Sequence, residues 1–218
     1  MRDPQATREK LIEAALELFG AKGFSATSTR EIAKAADTNI GSITYHFGGK
    51  AGLQLACAEM IAERLASMRA ALPSFPDDAG PDAALEQIRV TLGAMANFLL
   101  LRSDTEHIAA FMFREVQEAG EAFALVYRSV IEPMHIHICD LWSAATGADA
   151  ASERTRIAMF TLIGQIFYFR IGREIVLRRM DWPGFGQAQA EIVRTQILDN
   201  LDAMARRERA RNEAGGAQ

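Results

Sequence analysis

The densest set of chemistry-bearing side chains lies in Asn39-Ile40-Gly41-Ser42-Ile43-Thr44-Tyr45-His46-Phe47-Gly48-Gly49-Lys50. On a helix, Ile43 and Phe47 share one face and pack inward. Ser42, Thr44, Tyr45 and His46 then occupy the remaining circumference, with Asn39 and Ile40 at its start. That surface carries hydroxyls, a phenol and an imidazole but no carboxylate, which suits phosphate oxygens and base edges. Gly41 lets backbone approach closely. Lys50 opens the next helix, where main-chain N–H groups and the positive dipole end already favour a phosphate. Just upstream, Thr27, Ser28 and Thr29 read as helix-start residues whose hydroxyls can donate to phosphate. Arg30 is either a surface arginine balanced by nearby acids or a reader of guanine, the commonest specific contact.

Other constellations carry less chemistry. His135 and Cys139 are four residues apart and share a helical face, but His137 points elsewhere. No Cys-x-x-Cys or His-Glu-x-x-His accompanies them, so pocket or core histidines are expected rather than a metal site. Neither Cys57 nor Cys139 has a base and an orienting acid placed to make it a nucleophile, which argues against an enzyme. Phe98, Phe111, Trp142 and Phe167, with Met95, are candidates to line an apolar cavity. Arg114 and Arg170 each interrupt an apolar run. Each is expected to pair with a carboxylate, such as Glu115 or Glu174, or to offer its charge to a ligand. Arg206-Arg207-Glu208-Arg209 reads as a solvated helix end.

The elements around these residues read as helices throughout. The 218 residues include 38 Ala and only 6 Val, a composition that favours helix over sheet. Lys and Arg number 24 against 28 Asp and Glu, a net charge of -4. Overall acidity excludes a protein coated in positive charge but leaves a local binding face open. Helices are predicted over 4–22, 29–36, 40–47 and 50–72, the second opened by a Ser28/Glu31 capping box. Asp37-Thr38-Asn39 breaks the second from the third, giving a helix-turn-helix. Pro73–Pro81 reads as a linker. Longer helices are expected over 82–101, 104–117, 121–145, 152–180 and 186–211, with Pro133 kinking or dividing the third, and a frayed tail over 214–218. Two cysteines, a polar start and no apolar run near 20 residues point to a cytoplasmic protein.

The first fifty residues resemble the DNA-binding domain of the TetR family of transcriptional regulators. Thr7-Arg8, Leu11-Ile12-Ala14-Ala15-Leu18-Phe19, Gly23-Phe24, Ala26-Thr27-Ser28, Arg30-Glu31-Ile32-Ala33 and Tyr45–Lys50 carry the likeness. Farther on, His107–Glu115, Ile131–His135 and Phe169–Glu174 are similar to the CecR-like subgroup, whose members are linked to drug-export genes. The resemblance implies an all-α protein with an N-terminal three-helix helix-turn-helix domain (1–50), a connecting helix (50–72) and an effector-binding and dimerisation domain (73–218). It implies a homodimeric, ligand-responsive repressor of a palindromic double-stranded DNA operator, with no cofactor and no metal. An all-helical DNA-binding protein without a small-molecule effector, acting structurally, or an activator, stays open. The expected effector is hydrophobic or aromatic, held by Phe98, Phe111, Arg114, His135, Trp142, Phe167 and Arg170. The expected dimer face carries Ile157, Phe160, Phe167, Ile197 and Leu201, and Leu201→Glu is expected to give a monomer or insoluble protein.

Overall fold

The computed structural model describes residues 3–70, 80–101 and 106–215. Every regular element among them is helical and no strand occurs. The chain forms two compact units, one from residues 1–69 with 104–132, the other from 70–103 with 133–218. The predicted linker lies almost wholly outside the described residues, as do the predicted start of the sixth helix at Asp104 and the last three residues of the tail.

In the first unit, α1 runs Pro4–Lys22, α2 Thr29–Ala35, α3 Gly41–Phe47 and α4 Lys50–Ala70. Asp3 caps α1 by accepting the Gln5 N–H at 2.9 Å, and Pro4 occupies the first turn, where no N–H is needed. Gly23, at φ 83°, ends it in a conformation that a side chain would strain. The Ser28/Glu31 box is complete: Ser28 Oγ accepts the Glu31 N–H at 3.2 Å and Glu31 Oε2 accepts the Ser28 N–H at 2.9 Å. Lys22 donates to the same carboxylate at 2.7 Å. These bonds, that from Lys22 foremost, lower the Glu31 pKa to about 2.

This unit is completed by α6 (Glu106–Glu118), α7 (Glu121–Val126) and a π-helical turn over Tyr127–Ile131. The core joins Leu11, Ala15 and Phe19 of α1 to Ile32, Ile43, Leu53 and Ile61, and to Ile108 and Phe111 of α6. Phe111 is fully buried, its ring centroid 6.4 Å from that of Phe19. The α1 and α6 backbones meet at Gly20, where a Cβ would lie 3.1 Å from Phe111 N and 3.2 Å from His107 O.

The second unit holds α5 (Pro81–Leu101), α8 (Glu132–Thr146, entering at Pro133), α9 (Glu153–Ile171), α10 (Arg173–Met180) and α11 (Gln187–Gly215). α5 packs on α9 and α11, which also pack on each other; Ile88, Leu92 and Ala96 of α5, Met159, Leu162 and Ile166 of α9, and Val193, Ile197 and Leu201 of α11 are all buried. Arg89 of α5 pairs with Asp202 of α11. The far end of α11 closes α8: Arg209 Nε donates to Ala145 O at 2.8 Å and Asn212 Nδ2 to Thr146 O at 3.0 Å. These bonds satisfy carbonyls left open at a helix end.

One expectation is met and two need correction. The helix expected over 121–145 is divided around Pro133, as the proline predicts, and the turn before it is π-helical, with Glu132 N–H reaching Tyr127 O. Proline offers no N–H, so the widened turn ends as α8 begins. The helix expected over 152–180 breaks at Gly172 into α9 and α10. Finally, α5 is long and apolar enough to cross a membrane by length and composition, with mean hydropathy 1.2. However, 56% of that stretch is buried inside the protein, as in the core helix of a folded domain.

Candidate nucleic-acid interface

The candidate reading surface is built on α2 and α3. Asn39 Oδ1 accepts the Gly41 N–H at 2.8 Å and starts α3. The Thr38 and Ser42 hydroxyls, 3.2 Å apart, brace the same turn. Ile43 is buried at 1% exposure and anchors α3 to the core. Gly48, at φ 71°, ends the helix and its N–H returns to Thr44 O at 2.9 Å.

The position of α3 is fixed from both sides. A Cβ on Gly52 would overlap the Phe47 carbonyl oxygen, so only glycine lets α4 start this close to the end of α3. On the other side, the Arg8 guanidinium lies over the Phe47 ring at 5.6 Å. Neither Gly52 nor this Arg8 contact was legible from motifs. The Gly52 signal is a contact between neighbouring backbones, which no side-chain pattern encodes.

Most of the predicted contact residues are solvent-accessible. Ser28, Arg30, Asn39, Ile40, Gly41, Thr44 and Tyr45 are exposed, Tyr45 at 81%. Thr29, Ser42 and Lys50 are half-buried. His46, also half-buried, meets the Tyr45 ring edge-on at 4.9 Å. The Lys50 ammonium sits 4.2 Å from the Phe24 ring centroid, a cation–π contact that holds it at the head of α4. Thr27 does not join them. It is 1% exposed and its hydroxyl donates inward, to Gly23 O at 2.8 Å, so it shapes the α1–α2 turn.

The seven predicted effector residues divide between the units. Phe111 and Arg114 belong to the first. Arg114 finds neither predicted carboxylate: its Nε donates to Gly20 O at 2.7 Å and its Nη2 to Ala21 O at 2.6 Å. A guanidinium fork on two open carbonyls at a helix end explains an arginine in that apolar run. Beside it, Glu115 is buried and accepts from Gln54 Nε2 of α4 at 2.7 Å, while its Oε2 has no hydrogen-bond partner. Burial holds this carboxyl above the ordinary range, and burial with the nearby Glu115 charge pushes the Cys57 thiol up.

The other five belong to the second unit. Phe98 and Trp142 are buried, Phe167 is 43% exposed, and Arg170 is half-buried. His135 stacks on Phe160 with ring centroids 3.9 Å apart. Its Nδ1 lies 3.8 Å from Cys139 Sγ. Among the described residues no His, Cys, Asp and Glu cluster has metal-site geometry. Of this set, Trp142 lines a cavity of about 640 Å³, with Arg154, Ile157, Met204, Arg207 and Glu208 among its walls. Glu208 is held there by Arg154, whose Nη2 donates at 2.7 Å.

The predicted dimer residues also separate. Ile157, Phe160 and Phe167 are exposed at 56%, 57% and 43%. Ile197 and Leu201 are buried at 3% and 0% inside their own subunit. Ile197 and Leu201 of α11 thus serve this chain's own core rather than the expected dimer face.

A helix-turn-helix whose second helix exposes a face without a carboxylate, joined to a second helical unit, is the architecture of a DNA-binding transcriptional regulator. Residues 11–57 match the family described as bacterial regulatory proteins, tetR family. Residues 84–206 match the C-terminal domain of the HTH-type transcriptional dual regulator CecR. The chain belongs to the TetR family of DNA-binding transcriptional regulators, in its CecR-like subgroup. It is 36% identical to the HTH-type transcriptional dual regulator CecR of Shigella flexneri over 205 residues, 91% of each protein. It is 27% identical to the regulatory protein RaaS of Mycobacterium tuberculosis over 165 residues, 75% of this chain and 71% of that one. The fold is shared with a TetR-like regulator from Rhodococcus sp. RHA1, with TM-score 0.65 at 20% identity over 92% and 99% of the two chains. FadR of Bacillus subtilis, solved with stearoyl-CoA, has TM-score 0.62 at 14% identity over 88% and 96%.

Proposed function

We propose that the chain is a ligand-responsive repressor that binds a palindromic operator as a homodimer and controls drug-export genes in the cytoplasm. The observation that carries the reading is the α3 surface, presenting Ile40, Gly41, Thr44 and Tyr45 outward without a carboxylate. Two copies related by a two-fold axis read two half-sites, hence the palindrome. The exposed Ile157, Phe160 and Phe167 on α9 support the dimer, because an apolar stripe of this kind calls for a partner.

The effector is hydrophobic or aromatic and is held in the second unit by residues drawn from Phe98, His135, Trp142, Phe167 and Arg170. Phe111 and Arg114 leave this set because their contacts hold α6 on α1. The FadR complex with stearoyl-CoA supports a ligand with a long apolar chain in a fold of this kind. An effector releases DNA by binding better to the conformation that fits the operator less well. The name of the Shigella relative, a dual regulator, favours a second reading in which the chain also activates.

The test is a gel-shift series on operator and scrambled duplexes. Lys50→Ala and Tyr45→Phe should weaken binding to every sequence, because their partners are phosphates. Arg30→Ala, Ser42→Ala and Thr44→Ala should change base preference instead. Unchanged affinity in both Lys50→Ala and Tyr45→Phe would overturn the phosphate assignments.

A further inference from the structure

The outward strip of α3 lacks the usual readers of base edges. Gly41–Phe47 contains no Arg, Lys, Asn, Gln, Asp or Glu, so the bidentate contacts that select guanine or adenine are absent from this helix. Asn39 stands at its entrance, but its Oδ1 is already committed to the Gly41 N–H. Ser42 is braced against Thr38. In their place the helix opens with an isoleucine, Ile40, 48% exposed on an otherwise polar surface. Thr44, four residues on and also exposed, lies on the same side of the helix.

Ile40 is not among the side chains of the core that Ile43 and Phe47 anchor, and about half of it faces water. Pressed against a base-edge amine or carbonyl, it would strip water and return no hydrogen bond. One group in the major groove accepts an apolar neighbour without that penalty: the C5-methyl of thymine. We infer that Ile40 is a specificity-determining residue that reads a thymine methyl in each operator half-site. The inference rests on α3 being the reading helix and names the base that it selects.

The experiment begins by selecting a binding site from a random-sequence duplex pool with the full-length chain. Each thymine of the selected site is then replaced by deoxyuridine in both halves, which removes the methyl and nothing else. At one thymine position the wild type should lose affinity about fourfold per half-site, the loss expected for one methyl withdrawn from apolar contact. Ile40→Ala, an exposed change checked by thermal melting, should lose affinity for the thymine duplex to a similar degree. It should then bind thymine and deoxyuridine duplexes equally at that position. A wild type indifferent to deoxyuridine at every position overturns the inference, as does an Ile40→Ala variant that keeps the full penalty. A pool that enriches no sequence overturns the reading of α3 as well.

Discussion

Glu115 is the residue whose chemistry departs furthest from its surroundings. It lies buried against α4 with one oxygen on Gln54 and the other unpartnered, and burial raises its pKa. Folding therefore makes its ionisation less favourable than it is in the unfolded chain. An acid with a raised folded pKa gives stability that is complete below the unfolded pKa, about 4.3, and lost as pH rises through the folded value. Glu115→Gln cannot ionise, yet its amide oxygen still accepts from Gln54. The difference in unfolding free energy between variant and wild type should therefore move in the variant's favour from pH 4 to pH 8. Urea titrations at several pH values measure it, and a difference independent of pH would mean that the carboxyl titrates normally. Sequence alone singled out the neighbouring Arg114. Its carbonyl partners are 93 and 94 residues away, and spacing along one helix says nothing about such partners.

Among the elements, the junction of α3 and α4 sets where the reading helix sits. Substituting Ala for Gly in a helix normally adds up to about 1 kcal/mol. At Gly52 the new methyl would collide with the Phe47 carbonyl oxygen, a backbone atom that cannot rotate away. Gly52→Ala should therefore destabilise by about 1–3 kcal/mol, the usual range for overpacking. It should also reduce operator affinity more than Ile40→Ala does, because all of α3 shifts. Denaturant midpoints and gel shifts on the same preparation test both parts. The first helices were legible in sequence because their signals are local: Asp3-Pro4, the Ser28/Glu31 box and Gly48 each mark an end within a few residues. The break at Gly172 is not legible because an isolated glycine is tolerated within a helical pattern, and Ile171 and Ile175 keep helical spacing across it. Ile197 and Leu201 were assigned outward because periodicity shows that a face is buried but not what covers it.

At the scale of the whole molecule, the proposed dimer rests on α9. Phe160→Glu should leave folding intact, since more than half of that side chain is already in water, and should give a monomer by sedimentation velocity. Leu201→Glu should instead unfold the subunit, because its charge would enter the α5–α11 core. A Phe160→Glu protein that remains dimeric would remove α9 from the interface.

The compact unit bearing the helix-turn-helix is assembled from two separate stretches of chain, the second being 104–132. Ile108, Phe111, Ala122 and Val126 from that stretch complete its core. A gene fragment ending in α4 would encode a reading head with its α1 face stripped, exposing Phe19 and the Gly20 seam to water. Recombination that grafts a new sensor onto an old reader thus has no single crossover point here. A viable chimera must carry α6 and α7 along with the first 69 residues, or replace them with helices that fit the same glycine.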